Sequence, residues 1–401
     1  MAFAELETRL PLVVARRSWR VVLVDPGLFT APYDAALSAG LTANNVKPSW
    51  ATRWLRTGEE DELGDTAMPI FYPISDGPRR RSGKVWRAVK GIEHFLGLRT
   101  LLRQVTATRP DIVHFQWAML PLLDVATIKQ IRRVCPVVLT VHDLEAFNGK
   151  AVHPLQRRGI DRLWHTVDSL IVHTKAGRRT LIAAGIDGAR IAVVPHGLLG
   201  RHTGVLERSP SLGRWRIVQF GRIQAYKGAD LLVEALGQLD PVTRNRLSVT
   251  IAGEPQIDMV PIKRRAAALG LDAATLVFRL KRYSHVEMDA LFADADAFVF
   301  PYRKIEASGV LYEIAPLRRW IIASRLGAFT ELLGDKAGAK MGTLIAAGDP
   351  ALLAAALKDS IDRVPAGNLS DTIPDWTVIG AKTCAVYAAA TDQWNTDRMV
   401  H

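Results

Sequence analysis

Cysteine is nearly absent. The 401 residues hold only Cys135 and Cys384, too few for a disulfide framework, and no CxxC or Cys/His ligand spacing points to structural zinc. The usage fits a reducing compartment. Long apolar runs are missing too: the stretch LPLVVARRSWRVVLVD is broken by Arg16, Arg17 and Arg20, short of the roughly 18 apolar residues of a spanning helix. The start MAFAELETRL carries acids where a signal peptide carries cations, so a cytoplasmic location is expected. No GxGxxG follows the first candidate strand; DPGLFT stands there, which removes the dinucleotide fingerprint of an oxidoreductase. Low-complexity tracts and short repeats are absent.

What is present is the composition of a folded chain, 48% hydrophobic and 23% charged, long enough for two domains. The net charge of +12 favours phosphate-bearing partners. Nucleic acid is not among those expected, because the basic residues come with neither aromatic stacking platforms nor a known nucleic-acid motif.

Short β-branched runs alternate with helical stretches along the whole chain, which predicts parallel sheets covered by helices: an α/β chain of two doubly wound, Rossmann-like domains. Expected strands in the first half are 20–25, 111–117, 136–143, 169–174 and 190–197. Those in the second are 215–221, 247–254, 276–281, 297–302 and 320–324. The resulting boundaries are an N-terminal domain over 1–199, a linker over 200–214, a second domain over 215–374, and a terminal helix over 375–401 packing back across the domain junction. His114, His142, His173 and His196 fall inside or at the end of four expected strands, so they are expected along the edge where open α/β sheets bind ligands.

Two segments carry chemistry. In FGRIQAYKGADLLVEAL a strand ends at Gly221, a loop holds Arg222 and Lys227, and Gly228 opens a helix. Two cations and helix-start amides aimed outside a sheet suit a pyrophosphate. In PYRKIEASGVLYEIAPLRRW, Glu306 precedes a turn at Ser308 and Gly309, so amides near Gly309, Val310 and Leu311 are expected anion donors and Glu306 an acceptor for sugar hydroxyls. Glu313 lies further along the same helix.

Those motifs, with VVPHG, PDIVHFQW, TVHD, IAGEP, HVEMDALFADADAFVFPY and DWTVIGAKTCAVY, resemble family 4 glycosyltransferases of bacterial surface-polysaccharide type. The resemblance implies the GT-B fold, two Rossmann-like domains facing across a cleft, and a hexosyltransferase. It implies that Arg222 and Lys227 hold the donor diphosphate, that no metal or other cofactor is required, and that Glu306 and His142 face the donor sugar. The donor is a UDP- or GDP-sugar, and Gly27 lies in the loop beneath its phosphates. Retention of configuration by front-face attack is implied as well. In the family a second glutamate, eight positions on, meets the ribose; here Glu306 and Glu313 are seven apart and 314 is Ile, about 100° of helix rotation. Arg319 and Trp320 replace a small-residue–proline turn.

A nucleotide-sugar epimerase of the same fold and a catalytically silent partner subunit are the alternatives. Finally, Arg79, Arg80, Arg81, Lys84, Arg87 and Lys90 surround Trp86 ahead of an apolar helical pattern, a composition suited to anionic lipid. It points to a peripheral membrane enzyme whose saccharide acceptor is linked to a polyprenyl diphosphate.

Overall fold

The computed structural model describes residues 18–81, 83–144, 154–199, 213–336 and 338–400. The chain forms two compact units, one running to Gly197 and resuming at Pro374, the other Leu198–Ile373. Both are α/β with parallel sheets.

The first unit holds β1 (Trp19–Asp25), β2 (Val46–Arg53), β3 (Ala67–Phe71), β4 (Ile112–Phe115), β5 (Val137–Thr140), β6 (Ser169–Val172) and β7 (Ile191–Val193), in the order β3-β2-β1-β4-β5-β6-β7. Strands β4, β5 and β6 are buried at every position, the consequence of helices covering both faces. Register pairs Leu23 with Trp50 on one side and His114 on the other. On one face the Lys84–Thr108 helix buries Leu98, Leu101 and Val105, each contributing roughly 1.5–3 kcal/mol.

The second unit holds β8 (Trp215–Phe220), β9 (Leu247–Ala252), β10 (Leu276–Arg279), β11 (Ala297–Phe300), β12 (Trp320–Ser324) and β13 (Gly342–Ile345), in the order β10-β9-β8-β11-β12-β13. One core lies around Leu232, Leu236, Val249 and Leu357, another around Phe292, Phe298, Phe300 and Phe329.

Three strands go beyond those expected. β2 (VKPSWATR) and β3 (AMPIF) each contain proline and lack a β-branched run; β3 is an edge strand, where proline costs no ladder bond. β13 has only four residues. The expected linker lies outside the described residues except 213–214. Leu199 belongs to the second unit, its N–H donating to the Tyr312 carbonyl at 3.3 Å. The terminal helix, Trp376–Val400, packs in the first unit against the Ala31–Ala43 helix, β5 and β6. Gly40 and Gly380 allow the close approach: a Cβ on either would stand 2.1 Å from a carbonyl oxygen of the other helix, that of Trp376 or of Gly40.

Candidate functional site

In the second unit, β8 ends into a loop whose path is fixed by hydrogen bonds. Gly221 has φ +111, a conformation that favours glycine. Ile223 N–H donates to the Glu254 carbonyl at 2.9 Å, and the Gln219 side-chain amide donates to the Lys227 carbonyl at 2.7 Å. Gly228, at φ +69, lies so close to β11 that a Cβ there would stand 2.0 Å from the Pro301 carbonyl oxygen. Arg303 clamps the outside, donating to the Ala225 carbonyl at 2.9 Å and pairing with Asp230. A loop tied at so many points places its cations with little freedom.

Lys227 folds back over Gly221, its Nζ 3.0 Å from where a Cβ would be, with Val310 Cγ2 at 3.3 Å from the same point. The side chain is buried and its Nζ stands 5.4 Å from the Tyr302 ring centre. Burial, and then the charge of Arg222, push its pKa down to about 8. Arg222 is exposed. Among the described residues neither cation has a carboxylate partner. Two neighbouring cations without a counter-ion beside glycine backbone form a site that an anion would stabilise.

The second segment meets the first at Val310. Glu306 and Ser308 are buried; Ser308 opens the short Gly309–Ile314 helix. Gly327 allows the chain to pass the Glu306 carbonyl, which accepts from Ala328 N–H at 2.8 Å. One expectation is corrected: the Leu311 amide donates to the Ser308 carbonyl at 2.9 Å and its side chain is fully buried, so it is no free anion donor. The amides of Gly309 and Val310 precede any intrahelical acceptor. Glu313 is half-buried whereas Ile314 is in the core, which leaves 313, not 314, on the outer side. Arg319 is buried and donates to the Leu317 carbonyl at 2.9 Å.

In the first unit the histidines do gather. His142 has Nε2 2.9 Å from Gln116 Oε1 and Nδ1 3.2 Å from His173 Nε2; Trp117 stacks on its ring at 5.1 Å and Tyr33 meets it edge-on at 4.9 Å. His173 Nδ1 reaches the Val194 carbonyl at 3.0 Å. His114 lies between Thr140 Oγ1 and the Tyr387 hydroxyl, each at 2.8 Å. His196 packs 4.9 Å from Tyr33. Burial lowers the pKa of all four, to about 3 for His114 and His196 and about 4 for His173, so each is neutral near pH 7. Both nitrogens of His142 are therefore engaged by protein, and a sugar would reach one only by displacing a partner.

The Gly27 loop is pinned by Asp25, whose carboxylate accepts from the amides of Gly27 and Phe29 at 3.0 and 2.8 Å. The left-handed residue here is Leu28, at φ +47; Gly27 is needed for space, since a Cβ would stand 2.3 Å from the Phe29 ring. Asp34 is buried beside Asp25, and burial, then the charge of Asp25, raises its pKa well above the carboxylate range; its Oδ1 accepts from the Thr30 hydroxyl at 3.3 Å.

Residues 35–198 match the family model described as Glycosyltransferase Family 4, and residues 214–363 match Glycosyl transferases group 1. The chain carries the two domains of a family 4 glycosyltransferase. Among solved structures this glycosyltransferase is similar to Anabaena Alr3699/HepE in complex with UDP and glucose, at 14% identity and TM-score 0.66 over 92% of this chain and 99% of that one. It is similar to starch synthase IV from Arabidopsis thaliana bound to ADP and acarbose, at 11% identity and TM-score 0.63 over 94% and 99%. Sucrose-phosphate synthase from Thermosynechococcus elongatus gives 16% and 0.61 over 95% and 99%. At these identities the likeness shows the fold, GT-B. No curated protein matches the sequence.

The sequence motifs of this glycosyltransferase thus place Gly221, Lys227 and Val310 in one cluster, with Arg222 beside it and Glu306, Ser308 and Gly309 on the adjoining turn. Tyr33, Gln116, Trp117 and Tyr387 were not singled out from sequence. Gln116 and Trp117 end an expected strand and carried a signal; Tyr33 and Tyr387 sit in helices and carried none. In the basic segment Arg79, Arg80, Arg81, Lys84 and Arg87 are exposed. Arg81 lies 4.4 Å over the Trp86 ring. Lys90 is corrected as a surface cation: it pairs with Asp76 and lies 4.4 Å over the Tyr72 ring. Among the described residues no helix is long and apolar enough to cross a membrane.

Proposed function

We propose that this glycosyltransferase moves a hexosyl group from a UDP- or GDP-sugar, held by the 215–374 domain, to a saccharide acceptor held by the 1–199 domain. The observation that carries the reading is the buried Lys227 beside Arg222, over Gly221 and without a carboxylate partner. As the glycosidic bond to the diphosphate breaks, negative charge develops on the leaving oxygen, and fixed cations in a low-dielectric site stabilise it. With those two cations in place the step needs no divalent metal. Glu306 holds hydroxyls of the donor sugar and Glu313 the ribose. Transfer proceeds with retention, the departing phosphate oxygen taking the proton of the incoming hydroxyl on the same face.

The acceptor is a polyprenyl-diphosphate-linked saccharide of surface-polysaccharide assembly, met at the cytoplasmic face of the membrane. Supporting this, the exposed side of the Lys84–Thr108 helix places Val85, Ile92, Phe95 and Leu96 beside the cations at its start, the pairing of apolar and basic groups that an anionic lipid surface favours.

The donor reading is tested on the purified chain by thermal shift with UDP, GDP, ADP and TDP and then their sugars. One diphosphate raises the melting temperature. Arg222→Ala and Lys227→Ala each lower transfer by about 10² or more. Near-normal turnover in either variant removes that residue from the site, and a diphosphate that binds with neither donor hydrolysis nor transfer to any saccharide points to the silent-partner alternative.

A further inference from the structure

Each hydrogen bond in the histidine row of the first unit holds one proton, and following those protons fixes their direction. The Val194 carbonyl can only accept, so His173 Nδ1, 3.0 Å away, carries a proton. A neutral His173 then has its lone pair on Nε2, and His142 Nδ1, 3.2 Å away, must donate to it. By the same step a neutral His142 has its lone pair on Nε2, and the Gln116 atom opposite must be a donor.

In this structure the oxygen of Gln116 stands there at 2.9 Å, with its nitrogen 3.3 Å from His114 Nε2. With the amide in that sense, both outer nitrogens of the His142–His173 pair and the bond between the rings need protons, and the pair is a cation. Turned end for end, the amide donates to His142 and accepts from His114 Nε2–H, a proton it shares with Thr140 Oγ1 at 2.8 Å, and His114 Nδ1 accepts from the Tyr387 hydroxyl 2.8 Å away. Every group is then paired without net charge, in one direction from Tyr387 to Val194. Burial decides between the two. Of the pair that would carry the charge, His173 is 3% exposed and His142 is half-buried beneath the Trp117 ring, and among the described residues no carboxylate is hydrogen-bonded to His114, His142 or His173. A cation taken out of water without a counter-ion is strongly disfavoured, whereas an amide rotation costs little.

We infer that His173 and Gln116 are positioning residues for His142, holding it as the neutral Nδ1–H tautomer with its Nε2 lone pair toward the Gln116 amide. Trp117 on the ring face and Tyr33 at its edge fix the ring plane. The group that displaces the amide must therefore be a hydrogen-bond donor: a sugar hydroxyl fits, and a phosphate oxygen or carboxylate does not. This rests on the reading of His142 as sugar-facing.

The test is long-range proton–nitrogen NMR of histidine side chains in the 15N-labelled full chain near neutral pH, assigned by the signals lost in His142→Gln and His173→Gln. Both rings are expected neutral with the proton on Nδ1. A proton on His142 Nε2, or an imidazolium at either ring, overturns the inference, and this readout needs no transfer activity. His173→Gln keeps an acceptor within reach and leaves the His142 pattern unchanged. His173→Phe removes it, shifts the His142 proton to Nε2 and lowers kcat about tenfold, with the donor KM unchanged; a His142 pattern unmoved by His173→Phe overturns the role of His173. If the tautomers are as stated but no sugar is transferred, the functional reading fails and the assignment stands; transfer with His142 protonated on Nε2 gives the reverse.

Discussion

Lys227 shows how much one residue can reveal before any ligand is present. Its ammonium is buried and faces another cation, so the folded state holds the proton less tightly than the unfolded chain does: about 8 against 10.5. Between those values the unfolded state binds more protons, so native stability rises with pH across that window, and the penalty, of order 3 kcal/mol, is fully present below it. A bound diphosphate reverses the sign by favouring the charged form. Affinity for the preferred nucleoside diphosphate is therefore expected to fall about tenfold between about pH 7 and about pH 9, with net proton uptake on binding near the upper end. Titration calorimetry in two buffers of different ionisation heat measures this. Lys227→Arg, which stays charged, flattens the profile; a wild-type profile already flat would mean that Lys227 does not meet the anion. Arg222 and Lys227 were legible because a strand, a glycine and a helix start bracket them in sequence. Lys227's burial was not, since it comes from Tyr302 and Val310, brought in by a distant segment.

At the scale of elements, helices and strands with a clean apolar period could be read directly, while β2 and β3 could not. Pro48 and Pro69 argue against a strand locally, and only their place in the sheet makes them strands: β2 beside β1 with Trp50 paired to Leu23, and β3 beside β2 with Ala67 paired to Trp50. The last helix was legible as a helix but its partner was not, because the contact depends on two glycines 340 positions apart that carry no hydrophobic signal. Gly380→Ala is expected to push the Trp376–Val400 helix away from the Ala31–Ala43 helix, because the added Cβ meets the Gly40 carbonyl at 2.1 Å and the Asn44 side chain at 2.8 Å. The cost is about 2 kcal/mol or more, seen as a melting temperature several degrees lower, and an unchanged melt would show that the helix tolerates separation. Since Tyr387 bonds His114 from this helix, the same variant should also disturb the histidine row.

For the molecule as a whole, the basic excess is put to use only if it is gathered on a face. The Lys84–Thr108 helix has its inner side fixed: the Glu93 carboxylate accepts from the amides of Ile74 and Ser75 at 2.7 and 3.0 Å, and His94 bonds Asp124 at 2.8 Å. What remains outward is a stripe of Val85, Ile92, Phe95 and Leu96, with Arg99 following at the same helical spacing and Arg79, Arg80, Arg81 and Arg87 at the near end. Apolar contact and charge attraction would add, and they separate by experiment. Replacing Arg79, Arg80 and Arg87 by Glu is expected to weaken sedimentation with phosphatidylglycerol vesicles by about 10² or more, at about 1 kcal/mol for each cation removed, and to abolish most of its salt dependence. Ile92→Ser with Phe95→Ser should weaken binding to anionic and neutral vesicles alike, through loss of buried apolar area. Neither set touches Arg222, Lys227 or Glu306, so transfer to a soluble saccharide should persist in both while transfer to a lipid-linked acceptor in vesicles falls. Wild-type association indifferent to lipid charge and salt would leave the stripe without a membrane role and the acceptor without its proposed lipid.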